Sequence, residues 1–534
     1  MRFRKAGLVT GVFFVGVALV FFTFHRSTSF AREDKLTSAP SSSPVASANI
    51  PPATDAALGQ KTDRLIDESD LRPARCGVFV MSEKDGRVLY SRDSDKLFTP
   101  ASNMKVYTTA VALDLLGADY RWRTSVYANK QPDPQGVIDG DLTLYGRGAP
   151  DLVSKAKGDA PSLARFADQL YESGVREVRG NIIGDESYFR GEMFGVGWQW
   201  NDLQWYYGAQ PSALSVDENT FEVTMGPANK QGSGARVVMN PDDNFIHLTN
   251  NATTGERDAA ATIGLIRELS TNDVRVWGEF PISGQAFSAF LSVDHPALWA
   301  ATIFRRALIA RGIKITGEFR SRDFRAAETE KFDPQKAIEL AYQDSEPLGE
   351  IVRKTNKESN NLFAELILRT IGKERGSTAP DPDPRKNRAR GDDEAGVAVV
   401  RSWLEQKGIA ARDLALRDGS GLSRLDLITP ESTARLLYAV SRTNVATTFH
   451  DSLPVSGRDG TLSGRLKNAL GQISAKTGSL TYVHALSGYA STRSGEVLVF
   501  SIMCNDTTSD RKALALIDRV AVAITNFGPP SPGK

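Results

Sequence analysis

Arg2, Arg4 and Lys5 precede a mostly apolar run from Ala6 to about Phe24. A basic start followed by such a run is the pattern of an export signal. The run is long for a signal core and close to the length of a spanning helix. Ser29-Phe30-Ala31 offers small residues for cleavage, so a cleaved signal and an uncleaved anchor both stay open over 1–31. The stretch that follows, 32–59, is rich in Ser, Pro and Ala between Thr37 and Ala57 and reads as a disordered tether.

From Gln60 the pattern changes to that of a folded chain. A short helix is expected over Lys61–Asp67, then a strand at Cys76–Ser82 and another at Val88–Ser91, with Asp85-Gly86 between them as a two-residue hairpin turn. Met104, Val106, Ala110, Leu113 and Leu116 recur at helical spacing between Pro100 and Gly117, which marks one helix. Short alternating runs and many glycines then extend from Arg121 to Glu330, with a helix at Ala297–Arg311 and a strand-rich portion at Phe221–Phe287. Helical spacing returns at Leu348, Ile351 and Val352, and again at Leu362, Phe363, Leu366 and Ile367, with Ser359 between the two helices. Gly376–Asp393, rich in Pro, Arg and Asp, reads as an exposed loop. Apolar strand-like runs follow at Gln472–Lys476, Val483–Tyr489 and Val497–Met503, with turns at Gly478 and at Ser494-Gly495, before an amphipathic helix from Asp510 to Asn526. A sheet drawn from both chain ends with helices between is an α+β arrangement.

Composition narrows this picture only slightly. Lys and Arg number 65 against 64 Asp and Glu, so no overall basic excess points to nucleic acid. Five histidines, no His-Glu-x-x-His, no Gly-x-Ser-x-Gly and no Cys-x-x-Cys leave little for histidine or metal chemistry. No metal and no cofactor is expected. Cys76 and Cys504 lie in strand-like runs, where export permits a disulfide and buried free thiols are the alternative.

Three strings carry the chemistry: Ser102-Asn103-Met104-Lys105, Ser359-Asn360-Asn361 and Lys476-Thr477-Gly478. Ser102 and Lys105, three apart on a helix, share one face. A serine hydroxyl needs a base, and a lysine whose pKa is lowered by burial or a neighbouring cation can be that base. Lys476 would be such a neighbour. Ser359 and Asn361 suit proton relay and amide binding; Lys476 and Thr477, on an exposed strand edge, suit a carboxylate. Gly478 would let a substrate backbone approach, and the N–H groups of Ser102 and Ser479 would form an oxyanion hole. Singly, each string also reads as a helix cap or a turn. Ser-x-x-Lys recurs at Ser154 and Ser509, and Ser-x-Asn at Ser47 and Ser270. Order carries the case: the three together form the serine acyl-transferase signature in sequence. The stretch between the first two is too long for a loop and must be inserted, self-folded material.

On these residues the chain resembles the class C low-molecular-mass penicillin-binding proteins, the D-alanyl-D-alanine carboxypeptidase/endopeptidases. Gly180–Asp185, Asp418–Arg424 and Leu453–Leu462 are similar to further signatures of that family. The resemblance implies a penicillin-recognising, β-lactamase-like peptidase domain at 60–122 and 335–534, with an antiparallel sheet between helices. It implies an inserted domain at 123–220 and 288–334, and a nested one at 221–287. Ser102 would be acylated with Lys105 as base, and Ser359, Asn361, Lys476 and Thr477 would line the cleft. Asp202 and Tyr207, in a Trp-rich stretch beginning at Trp200, would read the free end of diaminopimelate, with Arg424 and Leu480 on the cleft wall. Substrates would be peptidoglycan stem peptides and cross-links, and β-lactams covalent inhibitors. The protein would work in the periplasm or at the outer face of the inner membrane, touching membrane only through an uncleaved N-terminus. A homo-oligomer stays open. The first and last strands would be neighbours, bringing Cys76 near Cys504. A serine β-lactamase and an idle wall-binding scaffold are the competing readings.

Overall fold

The computed structural model describes residues 56–71, 73–154, 161–241, 244–330, 332–379 and 390–528. The expected signal or anchor, most of the tether and the centre of the 376–393 loop lie outside them. The last residues of the expected tether are helical: the first helix is Ala56–Asp67, and Leu58 is buried in the core beside Leu65 and Ile66.

A five-stranded antiparallel sheet joins the two ends of the chain. Its order is Ile473–Leu480, Val483–Ser491, Val497–Asn505, Arg75–Ser82, Val88–Arg92. Both faces are covered, so these strands read as continuous apolar runs instead of alternating ones. Val78 and Val80 pack in one cluster with Leu516, Ile517 and Val520 of the Asp510–Thr525 helix. Phe79 and Met81, one residue out of step, face the opposite cluster with Tyr107 and Val111 of the Met104–Leu116 helix. Cys76 lies directly opposite Cys504 in this ladder, and the two are joined by a disulfide, Cα to Cα 4.2 Å. That pairing ties the sheet's first strand in chain order to its last, which are neighbours within the sheet.

Two turns differ from the sequence reading. The first hairpin closes through Ser82 N–H on the Arg87 carbonyl (2.8 Å), so four residues, not two, make the loop. Asp85 serves it by accepting from Arg87 N–H (3.0 Å), an Asx turn. Gly478 is not a turn residue: its strand continues to Leu480, and the reversal falls at Thr481-Tyr482, where Tyr482 has φ 68°.

The inserted stretch has sheets of its own. A five-stranded mixed sheet runs Phe319–Arg322, Ile182–Asp185, Leu142–Tyr145, Arg123–Ala128, Ile338–Asp344. The helices Ser162–Glu172 and Pro296–Ala310 share its core through Phe166 and Phe304. Its last strand pairs with Arg123–Ala128 and so lies beyond residue 334, where the sequence reading resumes the peptidase segment. Two three-stranded sheets between Thr220 and Ser292 enclose a smaller core of Phe221, Val223, Val274 and Val276.

Candidate active site

Ser102 sits in a short 3-10 turn, Ala101–Asn103, that runs directly into the Met104–Leu116 helix. Two glycines let neighbouring chain close on this turn. A Cβ on Gly421 would stand 1.8 Å from the Ala101 carbonyl oxygen, and one on Gly478 would stand 2.7 Å from the Pro100 oxygen. Gly478 therefore admits the turn that carries Ser102, where the sequence reading reserved the space for substrate. Asn103 fastens the contact by donating from Nδ2 to the Lys476 carbonyl (3.1 Å).

Lys105 is wholly buried. Its Nζ reaches Ser102 Oγ (2.9 Å), Asn361 Oδ1 (2.6 Å) and the Ser420 carbonyl (2.8 Å). All three partners are uncharged, so no counter-charge in contact offsets the water an ammonium would lose. Burial pushes Lys105 down to about 7, against the upward pull of Asp418 and Glu365. The arrangement also orients the neutral amine. An amide oxygen and a carbonyl accept only, so they take its two N–H groups, and the lone pair is left facing the Ser102 hydroxyl.

A second lysine–serine pair closes the cleft. The Leu348–Glu358 helix ends at Ser359, which takes left-handed angles (φ 62°), and Asn360 caps the next helix by accepting from Phe363 N–H (3.0 Å). This reversal presents Ser359 Oγ to Lys476 Nζ at 2.9 Å. Lys476 is also wholly buried, and burial with the nearby Lys105 holds it well below the usual lysine range. The sequence reading had it on an exposed edge. The edge is covered in its first half by the 454–456 segment, where Ala475 N–H bonds the Pro454 carbonyl (2.9 Å). Thr477 is buried and bonds Thr461 (Oγ1 to Oγ1 2.7 Å).

A cavity of about 520 Å³ opens on this group, lined by Ser102, Ser359, Asn361, Ser479 and Leu480 among others. Asp202, Tyr207 and Arg424 also line it. Asn361 Nδ2 donates to the Tyr207 carbonyl (2.8 Å), and Tyr207 Oη approaches Asp202 Oδ1 at 3.4 Å. Asp202 is raised above the usual carboxylate range by burial. Arg424 donates to the Thr481 carbonyl (3.0 Å) and to Gln199 Oε1 (3.2 Å). Trp200 stands 70% exposed and is not part of the lining; Gln199, Asn201 and Asp202 are.

The repeated strings are absorbed elsewhere. Ser154 is bonded to Asp217, Ser509 precedes the last helix with Lys512 paired to Asp70, and Ser270 lies in a loop. Ser47 is outside the described residues. Sequence reasoning missed the Ser420 carbonyl and its support. Buried Glu365 accepts from Gly419 N–H (3.0 Å) and Ser420 N–H (2.8 Å). Asp418 accepts from Gly421 N–H (2.7 Å), Ser423 N–H (2.7 Å) and Trp198 Nε1 (2.8 Å). The available signal was a glutamate one turn after Asn361 inside an apolar helical run, next to a Gly-Ser-Gly turn.

The D-Ala-D-Ala carboxypeptidase 3 (S13) family model matches residues 58–526. The chain is 35% identical over 483 residues to the D-alanyl-D-alanine carboxypeptidase of Actinomadura sp. (strain R39), covering 88% of this chain and 85% of that protein. It is 26% identical over 462 residues to the D-alanyl-D-alanine carboxypeptidase DacB of Haemophilus influenzae, covering 85% and 88%. Among solved structures it is similar to penicillin binding protein 4 (dacB) from Haemophilus influenzae, with TM-score 0.74, 24% identity, and 87% and 98% of the two chains covered.

Proposed function

Because the chain belongs to the D-Ala-D-Ala carboxypeptidase 3 (S13) family, we propose that Ser102 is its nucleophile in a serine-type DD-peptidase reaction on peptidoglycan stem peptides. The chain is a low-molecular-mass penicillin-binding protein with the α+β, β-lactamase-like fold expected of that group. The observation that carries the assignment of the nucleophile is the contact of a fully buried, uncompensated lysine amine with the Ser102 hydroxyl at 2.9 Å.

Lys105 takes the Ser102 proton as Oγ attacks the carbonyl carbon of the penultimate D-alanine. The N–H groups of Ser102 and Ser479, both at the cavity wall, receive the negative charge on the carbonyl oxygen, each donor being worth about 10²–10³ in rate. Ser359, bonded to Lys476, passes a proton to the leaving amine and takes back the one held by Lys105, so that Lys105 is a free amine again. The C–N bond breaks, terminal D-alanine departs and the acyl chain remains as an ester on Ser102. Water, deprotonated by Lys105, then releases the shortened peptide. The Thr477 hydroxyl, paired with Thr461, suits a substrate ending in a carboxylate. The uncovered half of the Ile473–Leu480 strand suits an extended peptide laid alongside it. Asp202 beside Tyr207 suits the free ammonium of diaminopimelate, with Leu480 and Arg424 on the walls.

A β-lactam would acylate the same serine. Export is part of this proposal, since stem peptides lie outside the cytoplasm. The test is release of D-alanine from a D-Ala-D-Ala-terminated pentapeptide. Wild-type protein releases it and Ser102→Ala does not; equal release by both would end the reading.

A further inference from the structure

Asp217, Glu218 and Asn219 hold left-handed backbone angles in succession (φ 48°, 57° and 54°), with no glycine among them. Asp and Asn tolerate this region; glutamate does not favour it. Such a run persists only where the surroundings over-determine it. Asp217 N–H bonds the Leu152 carbonyl (2.9 Å), and its carboxylate accepts from Ser154 N–H (2.9 Å). Asn219, fully buried, donates to the Gln210 carbonyl (2.9 Å) and Ser215 Oγ (2.9 Å), and accepts from Val216 N–H (3.1 Å). None of these bonds uses the Glu218 side chain. Glycine or asparagine at 218 would make the same turn more cheaply, so what glutamate adds is its carboxylate.

That carboxylate lines the cleft with Ser102, Ser359 and Asn361. One oxygen accepts from Asn360 Nδ2 (2.7 Å) and the other from Lys354 Nζ (2.8 Å). Asn360 is the middle residue of the Ser-x-Asn string. Its Oδ1 caps the Asn361–Arg375 helix, so Glu218 commits the other end of the same amide. On one side of Asn360 stands Ser359, bonded to Lys476; on the other stands Asn361, bonded to Lys105.

We propose that Glu218 is a positioning residue for acylation: from the inserted stretch it clamps Asn360, and so holds Ser359 and Asn361 where both lysines can reach them. The proposal rests on Ser102 being the acylated serine. Misplacement of catalytic groups by about 1 Å can cost about 10²-fold in rate, and partial loosening of one loop should read out as a smaller effect.

The test compares Glu218→Gly and Glu218→Gln by the second-order rate of acylation with a fluorescent penicillin, alongside Tm. Glycine relieves the backbone and removes the carboxylate. It should leave Tm unchanged or raised while slowing acylation by about tenfold or more. Glutamine offers one acceptor in place of two, shared between Asn360 and Lys354, and should acylate at a rate between those of wild type and the glycine variant. A purely structural residue would not move stability and acylation in opposite directions. Glu218→Asp, which tolerates the angles but falls one methylene short, should also be folded and slow; it decides the matter should glycine unfold the protein. Acylation by the glycine or aspartate variant at the wild-type rate, or by glutamine as slowly as by glycine, would overturn the clamp. Absence of any adduct on Ser102 in wild-type protein would overturn the nucleophile assignment instead.

Discussion

Titration of Lys105 should be visible as the acid limb of the acylation rate. Its amine contacts no carboxylate and is itself closed to solvent, and burial brings it from the ordinary 10.5 to about 7. That displacement corresponds to roughly 5 kcal/mol of preference for the neutral form at about 1.4 kcal/mol per unit. The base works only as the free amine, so rate is lost as pH falls through 7. Between pH 8 and pH 6 the neutral fraction drops from about nine-tenths to about one-tenth, and the second-order rate constant for penicillin acylation should fall about tenfold. The free-enzyme pKa is the one this constant reports. A stopped-flow or gel assay with a fluorescent penicillin from pH 5.5 to 9 measures it directly. A limb centred near 10, or a rate flat across the range, would refute the argument that Lys105 is a neutral base. Stability carries the same sign. Between 10.5 and about 7 the unfolded chain binds a proton that the folded one lacks, so each unit of falling pH in that window costs about 1.4 kcal/mol. The loss levels off below about 7.

Asn361→Ala takes an acceptor from Lys105 and a donor from the Tyr207 carbonyl; acylation should slow about 10²-fold, and a change under threefold would count against the assigned role. Asp202→Ala should raise KM for stem peptides with a free diaminopimelate ammonium and leave KM unchanged for the N-acetylated side chain; equal changes for both would remove Asp202 from recognition. Replacing Cys76 and Cys504 by serine should cost about 2–5 kcal/mol in denaturant unfolding, and unreduced, denatured wild type should show no free thiol; two titratable thiols would contradict the bond between them.

What the sequence disclosed depended on which atoms do the work. Ser102, Lys105, Ser359, Asn361 and Lys476 bring side chains in short strings, so they could be named, and the fold brings them together in two bonded groups. The Ser420 carbonyl is main chain, and no residue type advertises a carbonyl's direction. Gly478 was legible as a close approach but not for its partner, because the Pro100 turn comes from the far end of the chain. The central strands and the closing helix stood out through length and apolar runs. The Ser162–Glu172 helix did not, although Leu163, Phe166, Ala167 and Leu170 keep helical spacing. It crosses between the parallel strands Leu142–Tyr145 and Ile182–Asp185, each only four residues long, too short for alternation to signal a register. Pro430 after Thr429 was a start signal passed over; Thr429 caps the Pro430–Val440 helix through Ser432 N–H (2.9 Å).

The most direct measurement is peptide mapping by mass spectrometry after brief labelling of the folded protein with penicillin. The chemistry described here places a single penicilloyl adduct on the peptide bearing Ser102, absent from the alanine variant at that position. Label on any other residue, or labelling that survives that substitution, would mean that the paired lysine and hydroxyl at the head of the Met104–Leu116 helix are not the reacting centre.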